Sequence, residues 1–243
     1  MATAEQELTE VRRLRDRTRS RAHGGVWFPV AVLALLLLTS IALYRSPFRE
    51  LHEATVTVPY WAGLPAEQRS PIASYLLWLV GTPVAFALIA AWYRRRARRV
   101  GHRVAWQWSV GAGLGALAAL AIIAAVPVEL SQDVPLGTLT STPPPAGTIL
   151  RNGLLTPLLP IGIAIAVLGL VEGSRALVLA GGWVALIAWF HCTFGVTSVF
   201  HGGPSLDANW RYHTLPGPLL VAIALPLLAF AAVRAWRVRG GMR

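Results

Sequence analysis

Hydrophobic residues along the chain are concentrated in six long runs with polar connections between them. The runs cover residues 26–44, 72–93, 104–128, 154–171, 176–200 and 215–233, and none has a charged residue in its interior. A helix of about 20 apolar residues crosses the hydrocarbon core of a bilayer. Because backbone groups in lipid find no water, each run must satisfy its own hydrogen bonds as a helix. The pattern therefore predicts an all-α, multi-pass integral membrane protein, a bundle of six transmembrane helices.

Prolines interrupt three of the runs, at Pro83, at Pro157 and Pro160, and at Pro226. Transporters use broken helices to expose backbone groups to a substrate. Proline is also common in ordinary membrane helices, where neighbouring groups satisfy the freed carbonyl. Since no run carries an Asp, Glu, Lys or Arg, the usual mark of an ion path is missing. The run 154–171 either begins earlier, near Ile149, or is kinked by its two prolines.

Arginine is unevenly distributed between the two sides of the predicted bundle. All 22 basic residues are arginine, and with the N-terminus inside, 17 lie on the inner side and five on the outer side. Cytoplasmic loops of membrane proteins carry such an excess of basic residues. The distribution predicts that both termini are cytoplasmic. The lack of lysine, with abundant Ala, Leu, Gly, Pro and Arg, indicates a GC-rich bacterial genome, so we expect a bacterial plasma membrane.

Composition favours lipid over nucleic acid as the partner of these arginines. Hydrophobic residues make up 55% of the chain and charged residues 14%, whereas soluble domains carry about 25% charged residues. The net charge of +11 comes from arginines that flank the apolar runs, where anionic headgroups lie. We therefore expect membrane lipids, and no nucleic acid, as partners. The predicted membrane-interface anchors are Arg12, Arg13, Arg94, Arg95, Arg96, Arg98 and Arg99.

Aromatic residues at the ends of the runs fit the same placement, since Trp and Tyr favour membrane interfaces. The predicted inner set is Trp27, Trp92, Tyr93, Trp106, Trp108 and Trp236. The predicted outer set is Tyr44, Tyr75, Trp78 and Trp189.

Both terminal segments are basic. Residues 1–25 contain six arginines, and Leu8, Val11 and Leu14 lie at helical spacing. The segment is either a basic amphipathic helix on the inner leaflet or a flexible cytoplasmic tail that only sets the topology. Residues 234–243 form a second basic cytoplasmic tail.

Small residues indicate where helices approach closely. Gly111 and Gly115 create a small-xxx-small face in the third run, and Gly181 and Gly182 lie in the fifth. Such faces let helix backbones approach in lipid. Packing within the bundle is the favoured interpretation of Gly111 and Gly115, and a dimer interface is the alternative.

The most polar stretch within a run contains His191 and Cys192. A cysteine beside a histidine suggests a nucleophile and its base, but adjacent helical residues do not face each other. The simpler interpretation is a histidine bonded to a neighbouring helix and a cysteine that fills space. If the outer end of this helix is instead a ligand entrance, the candidate ligand-binding residues are His191, His201, Asp207 and His213.

Motifs of known chemistry do not decide the function. The chain lacks a P-loop, G-x-S-x-G, C-x-x-C and H-E-x-x-H, so we predict no catalytic residue, metal site or cofactor. The leading hypothesis is a non-enzymatic membrane subunit that binds a partner or a lipophilic ligand. Its partner would be another membrane subunit or a separate cytoplasmic ATPase, as in an exporter. The alternatives are an intramembrane enzyme acting on a lipid or isoprenoid from the outer face, and a sensor or immunity protein. The oligomeric state stays open.

Overall fold

The computed structural model describes residues 6, 9–11, 25–48, 64, 68–100, 105–125, 156–194 and 216–240. The helices from residue 25 onward are α1 (Trp27–Ser40), α2 (Pro71–Tyr75), α3 (Thr82–Val100), α4 (Gln107–Ala125), α5 (Leu158–Val171), α6 (Arg175–Phe194) and α7 (Pro216–Gly240). Apart from an isolated bridge between Tyr44 and Gln68, these described residues contain no β-structure. The predicted all-α class is confirmed.

Length separates the helical rods into two groups. Two of them, the second rod in chain order (Pro71–Arg99) and the last (Pro216–Val238), are long and apolar enough to cross a membrane. The other four apolar rods of the described chain have only 10–17 residues, and they are Trp27–Leu43, Gln107–Ile123, Leu158–Val171 and Arg175–Phe190. Two membrane-length helices hint at membrane association, and the six rods each overlap one of the six apolar runs. The fourth rod begins after Pro157, and whether an earlier start near Ile149 exists lies outside the described residues.

The second rod contains a π-helical segment, Leu76–Gly81, between α2 and α3. At its end the N–H of Thr82 donates to the carbonyl of Leu77, five residues back, which is the π-helical spacing. Pro83 follows directly and lacks an N–H to donate to Leu79, and its ring clashes with that carbonyl in a regular helix. The wider turn therefore accommodates the proline without breaking the rod.

Helices α5 and α6 form the tightest hairpin of the described chain. A methyl group added at Gly162 would lie 2.8 Å from the backbone N of Ala185, and one at Gly181 would meet the backbone N of Ala166. The close contact at Gly181 agrees with the prediction that this small residue lets two helix backbones approach each other. Gly182, in contrast, has no described atom within 4 Å of such a methyl group.

The prediction that Gly111 and Gly115 pack inside the bundle is wrong for the described residues, since both face open space. Gly113 is the glycine of α4 that packs, and a methyl group there would lie 3.0 Å from the side chain of Ala164 on α5. The apolar run has no polar face, so spacing alone does not show which side turns inward.

A short turn joins α5 to α6. Gly173 has φ of +65°, and its N–H donates to the carbonyl of Leu170, while the N–H of Ser174 donates to that of Gly169. This pair of bonds is a Schellman motif, which requires a left-handed residue that glycine supplies most readily.

The helices place most of the described arginines, among them Arg94, Arg95 and Arg234, near one end of the bundle. Trp92 Nε1 donates to the carbonyl of Gly25 at 3.2 Å, and the Tyr93 hydroxyl donates to Glu172 at 3.1 Å, so the end of α3 meets the start of α1 and the end of α5. We call this the arginine end. The opposite end contains Tyr44, and we call it the tyrosine end. There Gly217 N donates to the carbonyl of Pro47 at 2.8 Å.

Candidate functional site

The predicted ligand-binding set is only partly described. His191 lies in α6, three residues before its end, and nothing is described of its side chain. His201, Asp207 and His213 lie outside the described residues. The pocket that these four residues would form therefore stays a prediction.

Cys192, next to His191, belongs to a buried polar cluster at the tyrosine end. The side chain of Thr156 hydrogen-bonds that of Cys192, and Tyr44 lies near the thiol. The Tyr44 hydroxyl accepts a hydrogen bond from the backbone N–H of Leu64 at 2.8 Å. Arg69 Nε donates to the Tyr44 carbonyl at 3.0 Å. The Thr156 bond joins the chain before α5 to α6, and the two Tyr44 bonds join the chain after α1 to the chain before α2.

A line of three polar side chains runs along the second rod beside this cluster. Ser74, Trp78 and Thr82 are four residues apart, so they share one face of the helix. All three side chains are fully buried. Ser74 Oγ, Trp78 Nε1 and Thr82 Oγ1 have no hydrogen-bond partner among the described residues. We call this line the polar seam.

A small crevice opens beside the polar seam, between the second rod, α4 and the start of α5. Its volume of about 10 Å³ is close to the least that holds one water molecule. Leu79 and Ala121 on its walls are exposed, so the crevice reaches the surface of the bundle. The residues that line it are Trp78, Leu79, Leu117, Leu120, Ala121, Thr156 and Pro157.

Two of the predicted interface aromatics belong instead to this interior. Tyr44 and Trp78 are 1% and 0% exposed, so the prediction that they mark the outer membrane surface is wrong, and Tyr93, predicted for the inner surface, is likewise buried at 2% exposed. Their hydrogen-bonding groups need internal partners, which explains the bond that Tyr44 makes to Leu64. Trp108 and Trp236, predicted for the inner interface, are exposed at the arginine end.

The described interface arginines are exposed except Arg96, which is half-buried. The exposed group is Arg94, Arg95, Arg98 and Arg99. The Arg94 guanidinium lies 5.6 Å from the centre of the Trp106 ring, a cation–π distance. Arg12 and Arg13 lie outside the described residues.

Neither a metal centre nor a known relative identifies the site. In the described part of the chain, no group of three His, Cys, Asp or Glu side chains is placed to hold a metal ion. Comparison of the chain with protein-family models, with curated proteins and with solved structures finds no match.

Sequence reasoning missed the polar seam. Serine, tryptophan and threonine at four-residue spacing in an apolar run are compatible with either a lipid-facing or an interior side. The usable signal was Pro83, because a proline inside a predicted span interrupts the regular hydrogen bonding of the helix. Widened π-helical turns are frequent at functional sites.

Proposed function

We propose that the chain is a six-helix integral membrane protein of a bacterial plasma membrane, with both termini cytoplasmic. We further propose that it acts as a non-enzymatic subunit that binds a lipophilic ligand. The observation that carries the membrane assignment is the distribution of side chains, which is apolar outside and partly polar inside.

Large apolar side chains are exposed on every rod. Ile122, Leu170 and Leu179 are 67%, 68% and 74% exposed, and the first lies on α4, the second on α5 and the third on α6. In the most apolar 18-residue stretch of the two membrane-length rods, only 33% and 39% of the residues are buried. Soluble proteins rarely leave large contiguous apolar patches in water. A lipid environment accounts for this surface, because hydrocarbon solvates it without cost.

Polar side chains inside the bundle bond to neighbouring helices. The Ser109 hydroxyl of α4 donates to the carbonyl of Ala164 on α5 at 2.7 Å, and both side chains are buried. Tyr93 and Glu172 form a second buried bond between helices. Interhelical bonds of this kind hold membrane helices together where hydrophobic burial supplies no drive.

The placement of arginine supports the proposed orientation. The arginines with described side chains at the arginine end are Arg94, Arg95, Arg96, Arg98, Arg99, Arg175, Arg234 and Arg237, whereas Arg45 and Arg69 lie toward the tyrosine end. A cytoplasmic leaflet rich in anionic lipid attracts the first group. The arginine end would therefore face the cytoplasm and the polar seam the outer half of the bilayer.

Alkaline phosphatase fusions test this topology in cells. Fusions after Glu67, Asp133 and Asp207 should be active, because the enzyme folds only outside the cytoplasm. Fusions after Arg99 and Arg175 should be inactive. An inactive fusion after Asp133 would contradict the six-helix topology, because the rod Gln107–Ile123, which lies between Arg99 and Asp133, would then not span the bilayer.

A further inference from the structure

The polar seam presents hydrogen-bonding groups that the described chain leaves unused. A buried indole N–H or hydroxyl without a partner is unfavourable, and most such groups in proteins are satisfied. Here three of them, in Ser74, Trp78 and Thr82, follow one another on successive turns. A group from outside the described chain would relieve this deficit.

The crevice shows where that group would enter. Trp78 forms its inner wall, and the exposed residues Leu79 and Ala121 lie on its walls at the surface. In a membrane these outer residues would face lipid. A molecule could therefore reach Trp78 sideways from the bilayer without crossing the water-facing ends of the bundle.

The lining limits the chemistry of the occupant. The crevice walls contain no charged residue, and its volume of about 10 Å³ admits a single oxygen but no headgroup. An anionic group would lose its hydration there, and no cationic side chain lines the crevice to compensate for that loss. The indole N–H of Trp78 only donates, so the oxygen must be an acceptor. Apolar side chains at the surface would contact a hydrocarbon chain.

We propose that this crevice binds a neutral, single-chain lipophile through an oxygen that accepts a hydrogen bond from Trp78, with the hydrocarbon chain lying in the bilayer against Leu79 and Ala121. The inference rests on the proposed membrane function and names its class of ligand. Ser74 and Thr82 lie one turn to either side, about 6 Å along the helix, and do not line the crevice, so Trp78 is the donor of the polar seam that the ligand would reach.

Photolabelling with two matched probes tests the inference. The protein is reconstituted in phosphatidylcholine vesicles with either hexadecanol or hexadecane, each carrying a diazirine at the same carbon, and labelled residues are mapped by mass spectrometry. We expect the alcohol to label Leu79 and Leu120 about fivefold more than the alkane does, as one hydrogen bond allows. Excess unlabelled hexadecanol should abolish that difference.

Three variants identify the group responsible. Trp78→Phe keeps an aromatic ring but removes the donor, so the preference for the alcohol should fall to about that of the alkane. Trp183→Phe changes an exposed tryptophan on α6 and should leave the preference intact. If Trp78→Phe does not fold, Ala121→Phe provides the second variant. Ala121 is exposed on the crevice wall, so the added ring fills the mouth of the crevice and should abolish the preference.

Each negative result has a distinct meaning. Equal labelling of the crevice by both probes, or a preference that survives Trp78→Phe, would overturn the inference and leave water as the occupant. Leu186 on α6 is exposed and lies away from the crevice lining, so both probes should label it equally if the bundle lies in lipid. No labelling of Leu186 by either probe would refute the membrane proposal itself.

Discussion

Gly181 and Gly182 are neighbours in α6, but only the first lies against another helix. A methyl group at Gly181 would lie 2.5 Å from the carbonyl oxygen of Gly162 and would also meet the backbone N of Ala166. These are backbone atoms of α5, which cannot rotate away as a side chain can. We therefore expect Gly181→Ala to force α5 and α6 apart.

The size of the effect follows from the contact. Overpacking a close-packed interior costs about 1–3 kcal/mol, and about 2 kcal/mol lowers the melting temperature of a chain of this length by roughly 4–8 °C. Gly182→Ala is the matched control, because its methyl group would meet no described atom within 4 Å. Both substitutions remove a glycine from the same helix, so any gain in helix propensity cancels between them.

Thermal unfolding in a mild detergent, followed by size-exclusion chromatography of heated samples, measures the difference. Gly162→Ala should lower the melting temperature similarly, because its methyl group would lie 2.9 Å from the carbonyl oxygen of Gly181. The double variant should lose less than the sum of the two, since the first substitution has already separated the helices. Equal melting temperatures for Gly181→Ala and Gly182→Ala would refute the close packing of α5 and α6.

The remaining predictions use the same unfolding assay. Gly173→Ala places a side chain at a left-handed position (φ of +65°) and should cost about 1 kcal/mol; an unchanged melting temperature would contradict the described turn. Ser109→Ala removes the 2.7 Å bond to Ala164 and should cost about 0.6 kcal/mol. Tyr93→Phe removes a hydrogen bond from the buried carboxylate of Glu172 and should cost about 1–3 kcal/mol. A smaller loss for Tyr93→Phe than for Ser109→Ala would contradict the burial of that carboxylate.

The amino-acid sequence by itself determined the helices and the uneven distribution of arginine. Both depend on residues close together in the chain, since an apolar run favours a helix in lipid whatever surrounds it. The rods therefore lie within or overlap the runs, and Arg94–Arg99 follows one of them directly. The predicted ligand set around His191 stays a prediction, because three of its members lie outside the described residues.

Only the tertiary structure decided which face of each rod turns inward. The runs are largely apolar on all sides, and the polar line of Ser74, Trp78 and Thr82 is too sparse to distinguish an interior face from an outer one. Gly113 rather than Gly111 or Gly115 consequently contacts a neighbouring helix, and Trp78 lies in the interior rather than at the surface. The polar seam and its crevice exist because α4 and α5 pack beside the second rod, and contacts between distant segments cannot be read from the spacing within one of them.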